Sequence, residues 1–238
     1  MTASLALRDV EPEALDQLRA DDPRALRARC DLARIHRAMR SRSHLRDALL
    51  TVAENGAPRR VLEIGCGDGT LLAALAPRLN WPKVELTLLD REPAVDHSTL
   101  AAYAAAGWQA CVQRAEVTDW LRRAPTVDLV IASLFLHHFE PRALARLLAQ
   151  IASCSQALVA WEPRRCRRAL LAGHALGLLG ASRLTRNDAL VSVRAGFRGR
   201  ELSAQWNDLR HRWWFEEYRA GLFGHVFITA RSGSEADA

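Results

Sequence analysis

The chain has 238 residues, 49% of them hydrophobic, and a formal charge of +6. That length suits one domain with additions and a core that needs no covalent staples. Five scattered cysteines (Cys30, Cys66, Cys111, Cys154, Cys166) form no C-x-x-C pair, which argues against a zinc ribbon or a disulfide framework and fits a reducing cytoplasm.

The opening MTASLALRDVEPEALD turns acidic early and lacks an apolar core, so neither a signal peptide nor a membrane anchor is expected. No apolar run approaches the roughly 20 residues of a membrane span. Residues 11–53 read as helical. Leu15 and Leu18 begin one short apolar face, and Asp22 followed by Pro23 is an N-cap with proline at the first helical position. Leu26, Leu32, Ile35, Met39, Leu45 and Leu49 then recur at helical spacing. Between them lie Arg24, Arg27, Arg29, Arg34, Arg37, Arg40, Arg42 and Arg46, either a solvated face or a dock for an acidic partner such as an acyl carrier protein.

From Arg60 strands alternate with helices: strands at 60–64, 83–89, 109–114, 127–133 and 157–161, with helices at 70–79, about 95–106 and about 141–152. That order implies right-handed crossovers, a parallel sheet and a ligand crevice at the carboxyl ends of the first, second and fourth strands. Beyond Glu162 the pattern breaks. A helix is expected at about 165–180, then irregular chain, then a helical restart near 200. HVFITA (225–230) reads as a strand. Its partner is open between a strand at 209–215 and a helix at 215–221. Residues 232–238 form a polar tail expected to be disordered.

The most informative stretch is VLEIGCGDGT (61–70), followed by Asp90 at the end of VELTLLD. Gly65, Gly67 and Gly69 give G-x-G-x-G, a turn that needs positive φ and close approach of backbone to ligand. Thr70 stands where a dinucleotide fingerprint has glycine or alanine. Asp90 suits a ribose, whose two hydroxyls one carboxylate can accept. These residues resemble the class I S-adenosylmethionine (SAM) methyltransferases, whose first motif reads hydrophobic–hydrophobic–E/D–hydrophobic–G-x-G-x-G. The resemblance covers about 58–162, and 200–231 by expected position.

It implies an α/β, Rossmann-like fold: a seven-stranded, mostly parallel sheet of order 3-2-1-4-5-7-6 with helices on both faces. The SAM domain would span 58–231, with helical caps from 1–57 and from an insertion at 163–200. The implied cofactor is SAM, released as S-adenosylhomocysteine. By the family motif, Glu63 and Gly65 lie beside its amino-acid part, Cys66 contributes backbone, and Gly67 and Gly69 shape the turn. Asp90 grips the ribose and Arg91 the adenine face. Glu116, with Asp119 as its rival, and Val117 lie near the adenine edge, and Ser133 and Leu134 near the methionyl part.

SLFLHHFEP (133–141) resembles a segment of many small-molecule methyltransferases that lines the boundary between cofactor and acceptor. His137 and His138 are adjacent, so their side chains are expected to diverge and no metal site is expected. His137, His138 and Glu162 are the leading candidates for a general base, ahead of His174, Asp188 and His211. SRLTRNDALVSVRAGF (182–197) resembles small bacterial methyltransferases of polyketide or phenolic-lipid pathways, with Arg186-Asn187-Asp188 where those have R-H-D. Arg183, Arg186 and Arg194 either bind an acidic substrate group or pair with Asp188 and Glu201. Trp206, Trp213 and Trp214 either pack or stack on an acceptor.

The expected activity is methyl transfer to a hydroxyl or carbon of a small polyketide-like or aromatic metabolite in the cytoplasm. A carrier-bound acceptor and a homodimer are both compatible with it. An RNA-modifying methyltransferase and a non-catalytic SAM-binding subunit are the alternatives. No recognisable RNA-binding module is appended, so nucleic acid is not the expected partner, and the absent N/D-P-P-Y/F signature lowers the case for an amino-group methylase.

Overall fold

The computed structural model describes residues 5–206 and 211–232. The N-terminal region forms a 3₁₀ turn at Leu15–Gln17, then α1 (Pro23–Ala38) and α2 (Ser41–Val52). Asp22 caps α1 by accepting from the Arg24 N–H. The alternating part runs β1 (Arg60–Ile64), α3 (Thr70–Ala73), α4 (Ala76–Leu79), β2 (Glu85–Asp90), α5 (His97–Ala105), β3 (Gln109–Arg114), α6 (Val117–Leu121), β4 (Val127–Ser133), α7 (Pro141–Cys154) and β5 (Ser155–Pro163). Then come α8 (Arg167–Ala175), a 3₁₀ turn at Leu176–Leu179, α9 (Arg183–Ala195), α10 (Glu201–Ala204), β6 (Trp213–Ala220) and β7 (Gly224–Arg231).

The seven strands make one sheet of order β3-β2-β1-β4-β5-β7-β6. β1 to β5 are parallel, and the β6–β7 hairpin adds β7 antiparallel to β5. Successive residues of the central strands point to opposite faces, and both faces are dry. Val61, Leu88, Leu129, Ile131 and Val159 enter one apolar cluster, with Leu45 and Leu49 of α2 and Leu72 of α3. Leu62, Ile64, Val130, Leu158 and Phe227 enter the other, with Leu144, Leu147, Leu148 and Ile151 of α7. Those α7 positions recur at three- and four-residue steps, the stripe a helix needs to lie on a sheet.

Several local expectations are corrected. The 70–79 helix is two short helices, because Pro77 cannot donate and the chain restarts there. Leu15 and Leu18 lie at a single 3₁₀ turn rather than on an α-helix. On α1 the buried residues are Ala25, Ala28 and Asp31, while Leu26 is 52% exposed. The expected 165–180 helix ends at Ala175 and tightens into the 3₁₀ turn. The stretch after it is not irregular but helix α9, capped by the Ser182 hydroxyl on the Thr185 N–H. At the C-terminal end the expected strand at 209–215 is displaced: β6 begins at Trp213 and runs through most of the 215–221 stretch of the helical alternative, while 209–210 lie outside the described residues. Of the polar tail, residues 233–238 lie outside the described residues.

Candidate active site

The carboxyl ends of β1, β2 and β4 open on two adjoining cavities, of about 540 and 640 Å³, that share Gly65, Gly67, Asp90 and Leu134. The turn after β1 builds their common wall. Gly65 and Cys66 donate to the Leu89 carbonyl, and Gly67 donates to Asp90 Oδ2 at 2.9 Å. Gly65 has φ +66° because the Phe135 ring lies against it, and a Cβ there would come within 2.1 Å of that ring. Gly67, at φ +55°, faces open space instead, the kind of cradle in which backbone approaches a ligand. Gly69 faces away from both cavities, toward Thr99 and Val95, and its carbonyl accepts the Tyr103 hydroxyl at 2.8 Å. Gly69 therefore shapes the turn without lining the site. Asp68 accepts from the Thr70 N–H and hydroxyl.

Asp90 binds the backbone on both sides of the crevice, accepting from Gly67 and from Glu92, and each of its oxygens retains accepting capacity. Arg91 and Glu116 stand 3.9 Å apart on the wall of the second cavity, beside Val117. Asp119, the rival of Glu116, is turned away to Arg122 at 2.7 Å. Leu134 adopts φ +54°, an uncommon conformation for a branched side chain, and its N–H donates to the Trp161 carbonyl.

Two buried oxygens at the first cavity have no hydrogen-bond partner among the described residues: Glu63 Oε2 and Ser133 Oγ. Burial, with Asp68 and Asp90 nearby, pushes the Glu63 carboxyl well above the usual carboxylate range. A cation placed there would reverse that shift. Burial also pushes the Cys66 thiol up, with the Glu63 charge second, so it is not a ready nucleophile.

The three expected bases separate into different roles. Glu162 is fully buried, lines neither cavity, and accepts from the backbone N–H of Phe135, Leu136 and His137 and from His137 Nδ1 at 2.8 Å. It holds the 3₁₀ turn Leu136–His138 in place and has no path to an acceptor. His137 sits between Glu162 and Glu13, whose Oε1 lies 3.2 Å from its Nε2. Burial alone would push this imidazole down, but the hydrogen bonds to Glu13 and Glu162 outweigh it and hold its pKa up at about 9. His137 is a cation at neutral pH and cannot accept a proton. His138 lines both cavities and places Nδ1 3.2 Å from Asp16 Oδ2. Burial, then the His137 charge, pushes His138 down to about 4, while burial with Glu13 nearby pushes Asp16 up to about 6.

The two histidine side chains do not diverge as expected: their rings lie 4.1 Å apart at 35°. Donor atoms of Glu13, His137 and His138 consequently gather within 4.8 Å. Rings laid nearly face to face do not aim their in-plane lone pairs at one point, and Glu13 already engages His137, so the arrangement is that of an ion pair rather than a coordination shell.

The N-terminal residues of the site carried no readable signal. Glu13, Asp16, Arg19, Arg29 and His36 all line the first cavity. Glu13 reaches a histidine 124 positions away, and nothing in a local window marks such a contact. The His36 ring lies tilted against Trp161, 5.6 Å between centroids, and its Nδ1 has no partner among the described residues; burial pushes it down to about 4. The remaining candidates lie elsewhere. Asp188 is not a base: its two oxygens accept from the Ala14 and Leu15 N–H groups. His174 and His211 are exposed and line neither cavity. Trp206 and Trp213 pack edge to face in the core, and Trp214 is 43% exposed, so none of the three faces an acceptor.

A family model described as a methyltransferase domain matches residues 62–157. The trans-aconitate 2-methyltransferases of Rhodococcus jostii (strain RHA1) and Pseudomonas aeruginosa (strain UCBPP-PA14) are 33% identical over 99 residues and 32% over 106. Those alignments cover 41% and 44% of this chain, but only 35% and 36% of the relatives, so the chain spans about a third of the curated relatives it matches. Among solved structures, the plantazolicin methyltransferase BpumL in complex with SAH superposes with a TM-score of 0.64 at 14% identity, over 92% of this chain and 95% of that one. An O-methyltransferase family protein from Burkholderia thailandensis gives 0.58 at 19% identity, over 90% and 64%.

Residues 62–157 thus match a methyltransferase domain, and the sheet around them has the strand order expected of one. The matched region supplies the glycine turn, Asp90, Glu116 and the His137–His138 segment. The N-terminal residues on the cavity wall lie outside the match.

Proposed function

We propose that the chain binds SAM across the two cavities and transfers its methyl group to a hydroxyl or carbon of a small, apolar or aromatic acceptor of polyketide type. The observation that carries the cofactor reading is the buried Glu63 Oε2, unpartnered on the cavity wall and suited to an ammonium group. The open face of Gly67 leaves room for the ligand backbone beside it, and Asp90, Arg91, Glu116 and Val117 would hold the nucleoside. The cofactor supplies an activated sulfonium methyl, so this chain's work is to position the acceptor and exclude water. Leu18, Leu32 and Leu71 give the first cavity an apolar wall. Asp16, with Oδ2 3.2 Å from His138 Nδ1 on the same wall, stands where its ionised carboxylate would take a hydroxyl proton.

A carboxylate acceptor is the second reading, favoured by the name of the trans-aconitate methyltransferases the chain resembles; Arg19 and Arg29 stand on the same wall but are held by Asp21 and the Ala20 carbonyl, which an acceptor would have to displace. Delivery by an acidic carrier protein has less support. Arg24, Arg27, Arg29, Arg34 and Arg46 are engaged by acids or carbonyls of the chain itself.

Calorimetric titration with S-adenosylhomocysteine, with NADH as control, tests the cofactor reading. Micromolar binding that Gly67→Ala loses while remaining folded is the expected result; a folded wild-type protein that takes up no heat overturns it. Labelled-methyl assays on phenols, polyketides and tricarboxylates then separate the acceptors. Transfer to a hydroxyl should fall below about pH 6 as Asp16 protonates, and Asp16→Asn should lower the plateau. Transfer to a carboxylate should show neither effect.

A further inference from the structure

Residues 163–187 contain six arginines (Arg164, Arg165, Arg167, Arg168, Arg183, Arg186) and no aspartate or glutamate. Arg165 is used inside the protein: it is buried and paired with Glu201, and it donates to the Leu5 and Gly196 carbonyls. Arg167, Arg168 and Arg183 are exposed. From the same segment three leucines project into solvent: Leu171 (69% exposed), Leu178 (91%) and Leu179 (69%).

These leucines are displayed on a fixed frame. α8 runs directly into the 3₁₀ turn, so Leu171 and Leu178, seven positions apart, lie on one side of a continuous helical segment. The turn is closed by Gly180 N–H on the Gly177 carbonyl at 3.1 Å and Ala181 N–H on the Leu176 carbonyl at 3.1 Å. Arg27 of α1 holds the Gly180 carbonyl from outside at 3.2 Å. The Arg186 guanidinium packs so closely on Gly177 that a Cβ there would lie 2.9 Å from Nη1. Core leucines such as Leu45, Leu62 and Leu158 are fully buried. The adjacent pair at the tip is left in water, with Leu171 a third exposed leucine of the same segment, whereas the other exposed leucines of the described residues are scattered along the chain, and such patches mark contact with something apolar.

We propose that the α8 tip is a peripheral docking surface for an anionic lipid bilayer. Leu171, Leu178 and Leu179 would enter the interfacial layer while Arg167, Arg168 and Arg183 meet lipid phosphates. Uniform positive charge without an acid, around convex rather than grooved leucines, matches an anionic and deformable partner. A structured protein would need a socket for a side chain 91% exposed. Among the described residues no helix is long and apolar enough to cross a membrane, so the attachment would be reversible.

Co-sedimentation of the full chain with phosphatidylcholine vesicles, with and without phosphatidylglycerol, tests this. The expected result is binding to the anionic vesicles alone, weakened by salt, and lowered roughly tenfold or more in a Leu178→Ser/Leu179→Ser variant of unchanged melting temperature. Wild-type protein that stays in the supernatant overturns the proposal, as does a serine variant that binds equally well. A wild-type dimer that the variant lacks would make the tip a self-association surface. Absent lipid binding with capture by an acidic carrier protein would make it a protein dock. Either of these results also overturns the proposal.

Discussion

Glu162 shows how a residue beside an active site can be indispensable without touching a reactant. Its carboxylate gathers three backbone N–H groups and an imidazole in a fully buried position. Truncation leaves those donors, one of them on a cation, without a partner, and breaking such a buried pair costs about 3–5 kcal/mol. Glu162→Ala should therefore lower the denaturation midpoint steeply, and the loss should appear in urea unfolding of the protein without cofactor. A purely catalytic role would leave that midpoint unchanged. The residue type and its place at the carboxyl end of the fifth strand were legible in the sequence, although the strand runs on to Pro163 and includes it. Its role was not, because the donors it collects sit about 26 positions upstream.

At the scale of elements, the strands were legible and much of the cap was not. β1, β2, β4 and β5 are apolar on both faces, so each reads as an unbroken hydrophobic run between breakers. The glycine turn and Asp90 were readable for a related reason: their spacing is fixed by one strand–turn–helix unit. Helix α9 was hidden because the face it buries is Thr185, Asp188, Val191 and Ala195. The spacing is helical, but half of those side chains are polar, since they meet the backbone of the N-terminal segment rather than an apolar core. α1 returns the same kind of contact: buried Asp31 accepts from the Ser182 N–H and the Thr185 hydroxyl at the start of α9, and pairs with Arg34. Asp31→Ala should cost about 2–4 kcal/mol, as charged hydrogen bonds to a buried group are lost. Hydrogen exchange should speed up first in residues 182–195, with the sheet amides little changed. Uniform acceleration across the sheet would show that α9 is not a separately secured element.

For the whole molecule, buried His137 and partly buried His36 and His138 set a stability optimum near neutrality. His36 and His138 titrate at about 4 in the fold, against a reference of 6.5, so they stay neutral while the unfolded chain takes up protons. Their contribution is complete above pH 6.5 and is lost as pH falls toward 4, at roughly 3 kcal/mol for each. Asp16, raised to about 6, works the other way between pH 3.8 and 6 and offsets part of that loss. His137 titrates at about 9, so its contribution is complete below pH 6.5 and is lost as pH rises through 9. Melting temperature against pH should trace a dome, falling on both sides of neutrality. His137→Gln should flatten the alkaline limb and spare the acid one. An alkaline limb unchanged in that variant would show that the Glu13–His137–Glu162 chain does not carry it.

The cavity wall is assembled from two sources. The glycine turn and Asp90 come from the stretch that matches the family model, whereas Glu13, Asp16, Arg29, His36 and Ser192 come from sequence outside it. On the proposed function, selection can thus rewrite which acceptor fits while leaving the proposed donor site untouched. A chimera that exchanges the N-terminal segment and the 164–200 insertion together, as a matched roof, should keep its cofactor and change its diet. Exchanging either piece alone would strand Asp31, Asp188 and Glu13 without their counterparts.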